Sequence, residues 1–262
     1  MPTLILSPRY SDDSIRLRRA ALALGWEVRR LASWRCPDDF EPAEPVLFAE
    51  PLFNAAVADQ LGLMVVEPPE DFLVQLPGEY VGREVRLLAA GAARALPGPT
   101  FLKPPNRKTF PARVYASGAD LPEMPADDPI LAAEPVEWLA EFRFFVRDRR
   151  VLAWSPYWLR GALARDGDGW VIDPELAAAT RGLVDRLLAD PRVILPAAVV
   201  LDAGVIRGVG PAVVEANEAS GSGFYGCDPA GVLDVLRAAT TQGGEGSVNR
   251  PEADATRAFG SG

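Results

Sequence analysis

Residues 199–228 read VVLDAGVIRGVGPAVVEANEASGSGFYGCD. The pattern predicts a β-hairpin followed by a Gly/Ser-rich loop: one strand over 199–206, a turn over 207–211 and a return strand over 212–217. Side chains alternate faces along a strand, so Glu215 and Asn217 share a face while Val214 and Ala216 take the other. Asp202 interrupts an apolar run on the partner strand. Three oxygen-bearing side chains can thus converge on one face of a largely apolar ribbon. Hard divalent cations want such ligands, and Mg²⁺ completes its shell with water and phosphate. The same spacing also fits three solvated polar residues on an exposed sheet. Against that stands the apolar surround of all three positions, because a buried carboxylate without a partner is costly.

Asp202 followed by Glu215-x-Asn217 resembles the metal-binding signature of the ATP-grasp superfamily. There an acidic residue on one strand and a Glu-x-Asn on the next hold Mg²⁺ against ATP phosphates. Two lysines strengthen the likeness. Lys103 and Lys108 are the only lysines in a chain whose other basic residues are all arginine. Phe-x-Lys-Pro, then Lys-Thr-Phe, then a strand is similar to a clade of small ATP-grasp proteins long classed as a domain of unknown function. That clade carries an arginine on the preceding helix, for which Arg83 is the first choice and Arg86 the alternative.

The whole chain limits the chemistry. Its 262 residues suffice for one large domain or two small ones. A net charge of −9 without a basic run speaks against a nucleic-acid surface. No apolar stretch of membrane-spanning length appears, so no membrane partner is expected. Cys36 and Cys227 are too few for a disulfide framework, and a reducing cytoplasm is the expected compartment. The chain has no histidine, which removes Ser-His and Cys-His catalysis and histidine-ligated zinc.

In order, the pattern predicts a strand over 3–6, then a helix capped by Ser11 or Asp12 and stopped at Gly25. A strand over 26–31, a strand over 46–48, a helix over 54–61 and a strand over 63–66 complete a small parallel sheet. No G-x-G-x-x-G follows the first strand. After a Pro-rich connector, Val81, Val85, Leu88 and Ala92 mark one face of a helix over 79–96 that carries Arg83 and Arg86. Strands follow over 99–103, 110–115, 130–133, 141–146 and 151–157, then a helix opened by Asp173 and Pro174. A last helix starts at Asp228, and residues 240–262, rich in Gly, Ser and charge, predict a disordered tail.

The resemblance implies an ATP-grasp fold, α/β and α+β, with a small N-terminal Rossmann-like domain over 1–77, a two-lobed ATP-grasp domain over 78–240 and the tail from 241. It implies that ATP and Mg²⁺, or Mn²⁺ in its place, are the cofactors. Asp202, Glu215 and Asn217 would hold the metal. Arg83, Lys103, Lys108 and Arg143 would meet the phosphates, with Arg143 and Lys108 catalytic. Glu134 and Glu141 have the separation of the adenine-hinge and ribose glutamates, and Trp138 either walls the adenine pocket or is plain core. Ser220, Gly221, Ser222 and Gly223 precede a helix and form a candidate substrate loop, with Arg160 a second candidate for an acidic substrate. The implied reaction is ATP-dependent ligation of a small-molecule or peptide carboxylate to an amine through an acylphosphate. The rivals are a small-molecule kinase and a non-catalytic ATP-binding module.

Overall fold

The first strand, β1 (Pro2–Leu6), carries Leu4, Ile5 and Leu6 with no exposed surface. It is the centre of a three-stranded parallel sheet, flanked by β2 (Glu27–Arg30) and β3 (Glu44–Phe48). Helix α1 (Asp12–Ala23) begins with a capping box in which Ser11 Oγ accepts from Ser14 N at 3.1 Å, and Gly25 (φ 76°) follows its end. Leu4 and Leu6 pack towards Leu17 and Ala21 of α1. Ile5, on the opposite face, packs towards Phe53 and Val57 of α2 (Pro51–Gln60). One expectation fails. Strand β4 (Leu63–Val65) does not join this sheet but pairs antiparallel with residues 240–242. The computed structural model describes residues 1–167 and 169–243.

Two short helices, α3 (Phe72–Gln75) and α4 (Gly78–Val81), lead into a four-stranded antiparallel sheet. Its members are β5 (Val85–Ala89), β6 (Thr100–Lys103), β7 (Arg113–Tyr115) and β8 (Pro129–Ala133), in the order β5-β8-β6-β7, with α5 (Ala90–Ala93) following β5. The helix expected over 79–96 is therefore corrected to a helical turn, a strand and a second turn. Gly82 (φ 65°) ends the first turn. Val85 and Leu87 then pack against one core while Leu88 packs against another. A segment with apolar residues packing from both faces matches helical spacing at isolated positions, and its pairing with β8 decides the outcome.

The larger sheet has the order β11-β10-β9-β14-β15, built from β9 (Trp138–Arg147), β10 (Arg150–Leu159), β11 (Ala162–Leu163), β14 (Ala198–Ile206) and β15 (Gly210–Asn217). A small ribbon of β12 (Arg165–Asp166) and β13 (Gly169–Trp170) precedes α6 (Pro174–Ala189), whose N-cap is Asp173 as expected. Phe142, Phe144 and Leu201 face the α6 side, in one core with Leu183 and Leu187. Phe145, Ala198 and Val200 take the other face, under α7 (Pro229–Leu236) and the N-terminal sheet. Each fully buried Phe contributes about 2–3 kcal/mol of transfer free energy. The chain then forms β16 (Thr240–Gln242), so the tail predicted from 240 is structured at its start, and residues 244–262 lie outside the described residues. Among the described residues no helix is long and apolar enough to cross a membrane.

At Gly204 of β14 an added Cβ would overlap the Ala140 carbonyl oxygen of β9 and press on Trp138. Gly204→Ala is expected to lower stability by about 2 kcal/mol or more. A urea midpoint unchanged from wild type would refute this packing.

Candidate functional site

The polar residues of the hairpin meet where the two sheets face each other. Asp202 on β14 lies in register with Arg143 on β9 and with Glu215 on β15. A bulge between Asp202 and Ala203 bends the hairpin there. Arg143 grips the Asp202 carboxylate bidentately, Nε to Oδ1 at 2.8 Å and Nη2 to Oδ2 at 2.6 Å. Asn217 Nδ2 donates to Glu215 Oε1 at 3.0 Å and to Asp202 Oδ2 at 3.4 Å. From the smaller sheet, Lys103 at the end of β6 reaches across and donates to Glu215 Oε2. The expected convergence of Asp202, Glu215 and Asn217 is thus present, and two of the expected cations sit on it.

Arg83 also belongs to this cluster, although it stands between α4 and β5 and not on a helix. It donates to the carbonyls of Val213 at 2.8 Å and Val214 at 3.2 Å and lies 5.1 Å from the Trp138 ring centroid. Burial lowers its pKa to about 10, with Glu141 and Glu215 opposing the shift. Arg86 is on the exposed side of β5, paired with Glu84. The geometry therefore separates the two arginines: Arg83 lies beside the cluster and Arg86 points away from it. Glu134 stands exposed at the start of the short linker from β8 to β9, which joins the two sheets. Lys108 is exposed on the loop between β6 and β7 and does not touch the cluster. Arg160, in a left-handed conformation (φ 49°), pairs with Asp173 at 3.2 Å at the start of α6.

The electrostatics follow from burial. Burial works against the Arg143 charge, but Asp202 outweighs it and raises the pKa of the guanidinium. Burial pushes the Asp202 carboxyl up, and Arg143 opposes it. Burial alone would raise Glu215 as well, yet Lys103 and Asn217 hold it below the usual carboxylate value. Glu141 is pushed to about 7, chiefly by burial, although the Tyr157 hydroxyl donates to its Oε2.

Several residues of this site escape sequence reading. Tyr157 and Tyr225 stack at 5.0 Å between centroids, and Trp170 meets Tyr225 edge-on. The Arg143 guanidinium lies 5.1 Å from the Tyr225 centroid. In the loop after Asn217, Gly223 O accepts from Arg143 Nη1 at 2.7 Å, and Phe224 N donates to Asp13 of α1 at 3.0 Å. Ser220 is fully buried, and Ser222 Oγ donates to the Glu218 carbonyl at 2.6 Å. Glu218 is raised to about 7 by burial and by the neighbouring Glu67. Tyr225 and Glu218 sit in the quoted stretch, but nothing in their spacing marks them.

Among the described residues no three His, Cys, Asp or Glu side chains gather to hold a metal ion. Two carboxylates and an amide do gather, and that donor set suits Mg²⁺, which takes one or two protein carboxylates and fills its shell from phosphate and water.

A family model described as an ATP-grasp domain, the second family of its clade, matches residues 80–235. The structure resembles D-alanine–D-alanine ligase from Bacillus anthracis, with 13% identity, a TM-score of 0.51 and coverage of 91% of this chain and 96% of that one. It also resembles D-cycloserine synthetase DcsG, with 13% identity, a TM-score of 0.50 and coverage of 90% and 99%. A third is the ATP-grasp ligase PsnB, complexed with a phosphomimetic variant of its minimal precursor, Mg and ADP, with 14% identity, a TM-score of 0.50 and coverage of 89% and 95%. At these identities the likeness establishes the fold. No curated protein matches the sequence.

The raised carboxyls make stability depend on pH. Glu141 and Glu218 bind their protons more tightly folded than unfolded, from an ordinary value of 4.5 to about 7. Their contribution is complete below pH 4.5 and is lost as the pH climbs through about 7. Without nucleotide, stability should fall between about pH 5 and 8 by up to about 3 kcal/mol for each group. Glu141→Gln should remove its share of that slope in urea unfolding at several pH values; an unchanged slope would place Glu141 in a solvated setting.

Proposed function

The chain belongs to the ATP-grasp domain family whose model it matches, and on that premise we propose that it is an ATP- and Mg²⁺-dependent ligase joining a carboxylate to an amine, with release of ADP. One observation carries the reading: Lys103 from one sheet meets Arg143, Asp202, Glu215 and Asn217 from the other, where the two sheets joined by a short linker come together. Opposite charges packed in this way are poised to be exchanged. A triphosphate entering the cleft would draw Lys103 and Arg143 onto its oxygens and release the carboxylates they hold. Mg²⁺, held by Asp202, Glu215 and Asn217, would supply further positive charge against the phosphates.

At the other end of the cleft, backbone groups of the 134–137 linker would read the adenine edge, with Trp138 as a wall and Glu141 on the ribose hydroxyls. Arg83 and Lys108 would complete the phosphate charge; Lys108 reaches it only if its loop folds over bound nucleotide. The substrate carboxylate attacks the γ-phosphorus, the bond to the ADP oxygen breaks, and an acylphosphate forms. The amine nitrogen then attacks the acyl carbon, phosphate leaves, and the nitrogen gives up its proton. Neither step needs a covalent protein nucleophile; positioning and charge suffice, which fits a chain without histidine. The loop at 220–223 and Arg160 line the substrate end, for a small-molecule or peptide carboxylate and its amine. Two free cysteines accord with a cytoplasmic setting.

A screen of carboxylate and amine pairs, following ADP release and product mass, tests the reading. An amide product supports it; a stable phosphorylated product would identify a kinase, and ATP binding without ADP under every mixture would identify a binding module. Glu215→Gln should lower ADP formation by at least about a hundredfold, and turnover like that of wild type would sink the metal assignment. Lys103→Ala should weaken ATP by about tenfold or more while adenosine binding changes little; equal losses for both ligands would misplace the lysine.

A further inference from the structure

Among the described residues three buried side-chain oxygens have no hydrogen-bond partner: Glu218 Oε1, Ser220 Oγ and Asn54 Oδ1. All three lie at one joint, where the loop after Asn217 meets the junction of β3 and α2. Ser220 O accepts from Ala49 N at 3.2 Å, and Ala49 O accepts from Asn54 Nδ2 at 2.9 Å. Glu218 Oε1 faces Gly221, where an added Cβ would overlap it and press on Pro51. Ser220 and Asn54 are fully buried, whereas Glu218 is half-buried as a residue although its Oε1 is buried.

Leaving buried oxygens without donors costs free energy, so a fold that concentrates them in one place has a use for them. A carboxylate and an amide oxygen only accept, and a hydroxyl can accept as well. The neighbouring charge is a further carboxylate, Glu67, and not an arginine. Such a site repels an anion and matches a cation with several N–H donors. Three acceptors correspond to the three N–H bonds of a primary ammonium group. Glu218 directly follows Asn217, so the joint borders the place where an acylphosphate would form.

We propose that Glu218, Ser220 and Asn54 form the binding site for the primary ammonium group of the amine substrate, a role that rests on the ligase reading of the adjoining phosphate site. The loop at 220–223 then holds the amine, not the carboxylate; before attack the ammonium passes one proton to the Glu218 carboxylate, which frees the nitrogen lone pair, and the second proton leaves after the amide bond forms.

The test titrates the full chain with ethylamine hydrochloride at pH 7, followed by saturation-transfer NMR, after Mg·ADP binding has been measured by calorimetry. Wild type should bind ethylammonium saturably, ethanol should give no saturable signal, and replacing NaCl by KCl should not displace the amine. Glu218→Gln should weaken ethylammonium at least tenfold. Ser220→Ala, checked for wild-type thermal stability, should weaken it about threefold. Absence of saturable binding to wild type loaded with Mg·ADP would overturn the inference, as would equal binding by Glu218→Gln. Displacement by K⁺ would also overturn it, marking an alkali-ion site. Failure of Mg·ADP to bind would overturn the ligase reading instead, and the ethylammonium titration would still decide whether the joint accepts an ammonium.

Discussion

Everything in the cleft depends on the pair of Arg143 and Asp202. Asp202 has no exposed surface, and a carboxylate so placed needs a cation and well-aimed donors. The register of β9 against β14 supplies both, because it sets Arg143 directly opposite Asp202. A slip of β9 by one residue would turn Arg143 into the Phe142–Phe144 face beneath α6 and away from Asp202. Removing one partner and leaving the other would cost about 3–5 kcal/mol. The strand register, the bulge in the hairpin and the course of the loop at Gly223 are all fixed by keeping these two groups together.

Such a pair is weak evidence for stability, since apolar residues of the same size would serve the fold as well. Its value lies in charge exchange. Lys103 on Glu215 and Arg143 on Asp202 keep both carboxylates matched inside a low-dielectric cleft. On the ligase reading, phosphates and a divalent cation arrive together and take one sign of charge each, so nothing buried is left unmatched. Burial pushes the Glu141 carboxyl up to about 7, and Arg83 offsets only a small part of that rise.

The sequence is most legible where chemistry and periodicity coincide. Asp202, Glu215 and Asn217 declare themselves as polar residues inside an apolar alternation, and the two lysines stand out against a background of arginine. The caps of α1 and α6 are readable because Ser11 and Asp173 act locally. The segment around Arg83 reads wrongly as helix because Leu87 and Leu88, adjacent in sequence, pack into different cores and break the alternation, and only its pairing with β8 distinguishes it. Strand β16 is invisible for a related reason: Thr240–Gln242 has no apolar pattern and is a strand only through β4. Tyr157 and Tyr225 meet across long sequence separations, which spacing within one element cannot reveal.

The loop from Glu218 to Cys227 shows how far the N-terminal part shares in the site. Arg143 holds it at the Gly223 carbonyl, Asp13 at the Phe224 amide, Ser155 at the Gly226 amide at 3.0 Å, and Arg16 at the carbonyls of Tyr225 and Cys227. Asp13 and Arg16 belong to α1, while Arg143 and Ser155 belong to the larger sheet. Tyr225 adopts a left-handed backbone (φ 48°), which costs a residue with a side chain about 1–2 kcal/mol. That conformation puts its ring between Tyr157 and Trp170 and beside Arg143. A flexible glycine-rich connector would not accept such strain, so the glycines here serve close approach: at Gly226 an added Cβ would overlap Trp170 and Ser155. The loop is a clamped wall between two bodies. Through this loop the Arg143–Asp202 pair is tied to α1 and the N-terminal sheet.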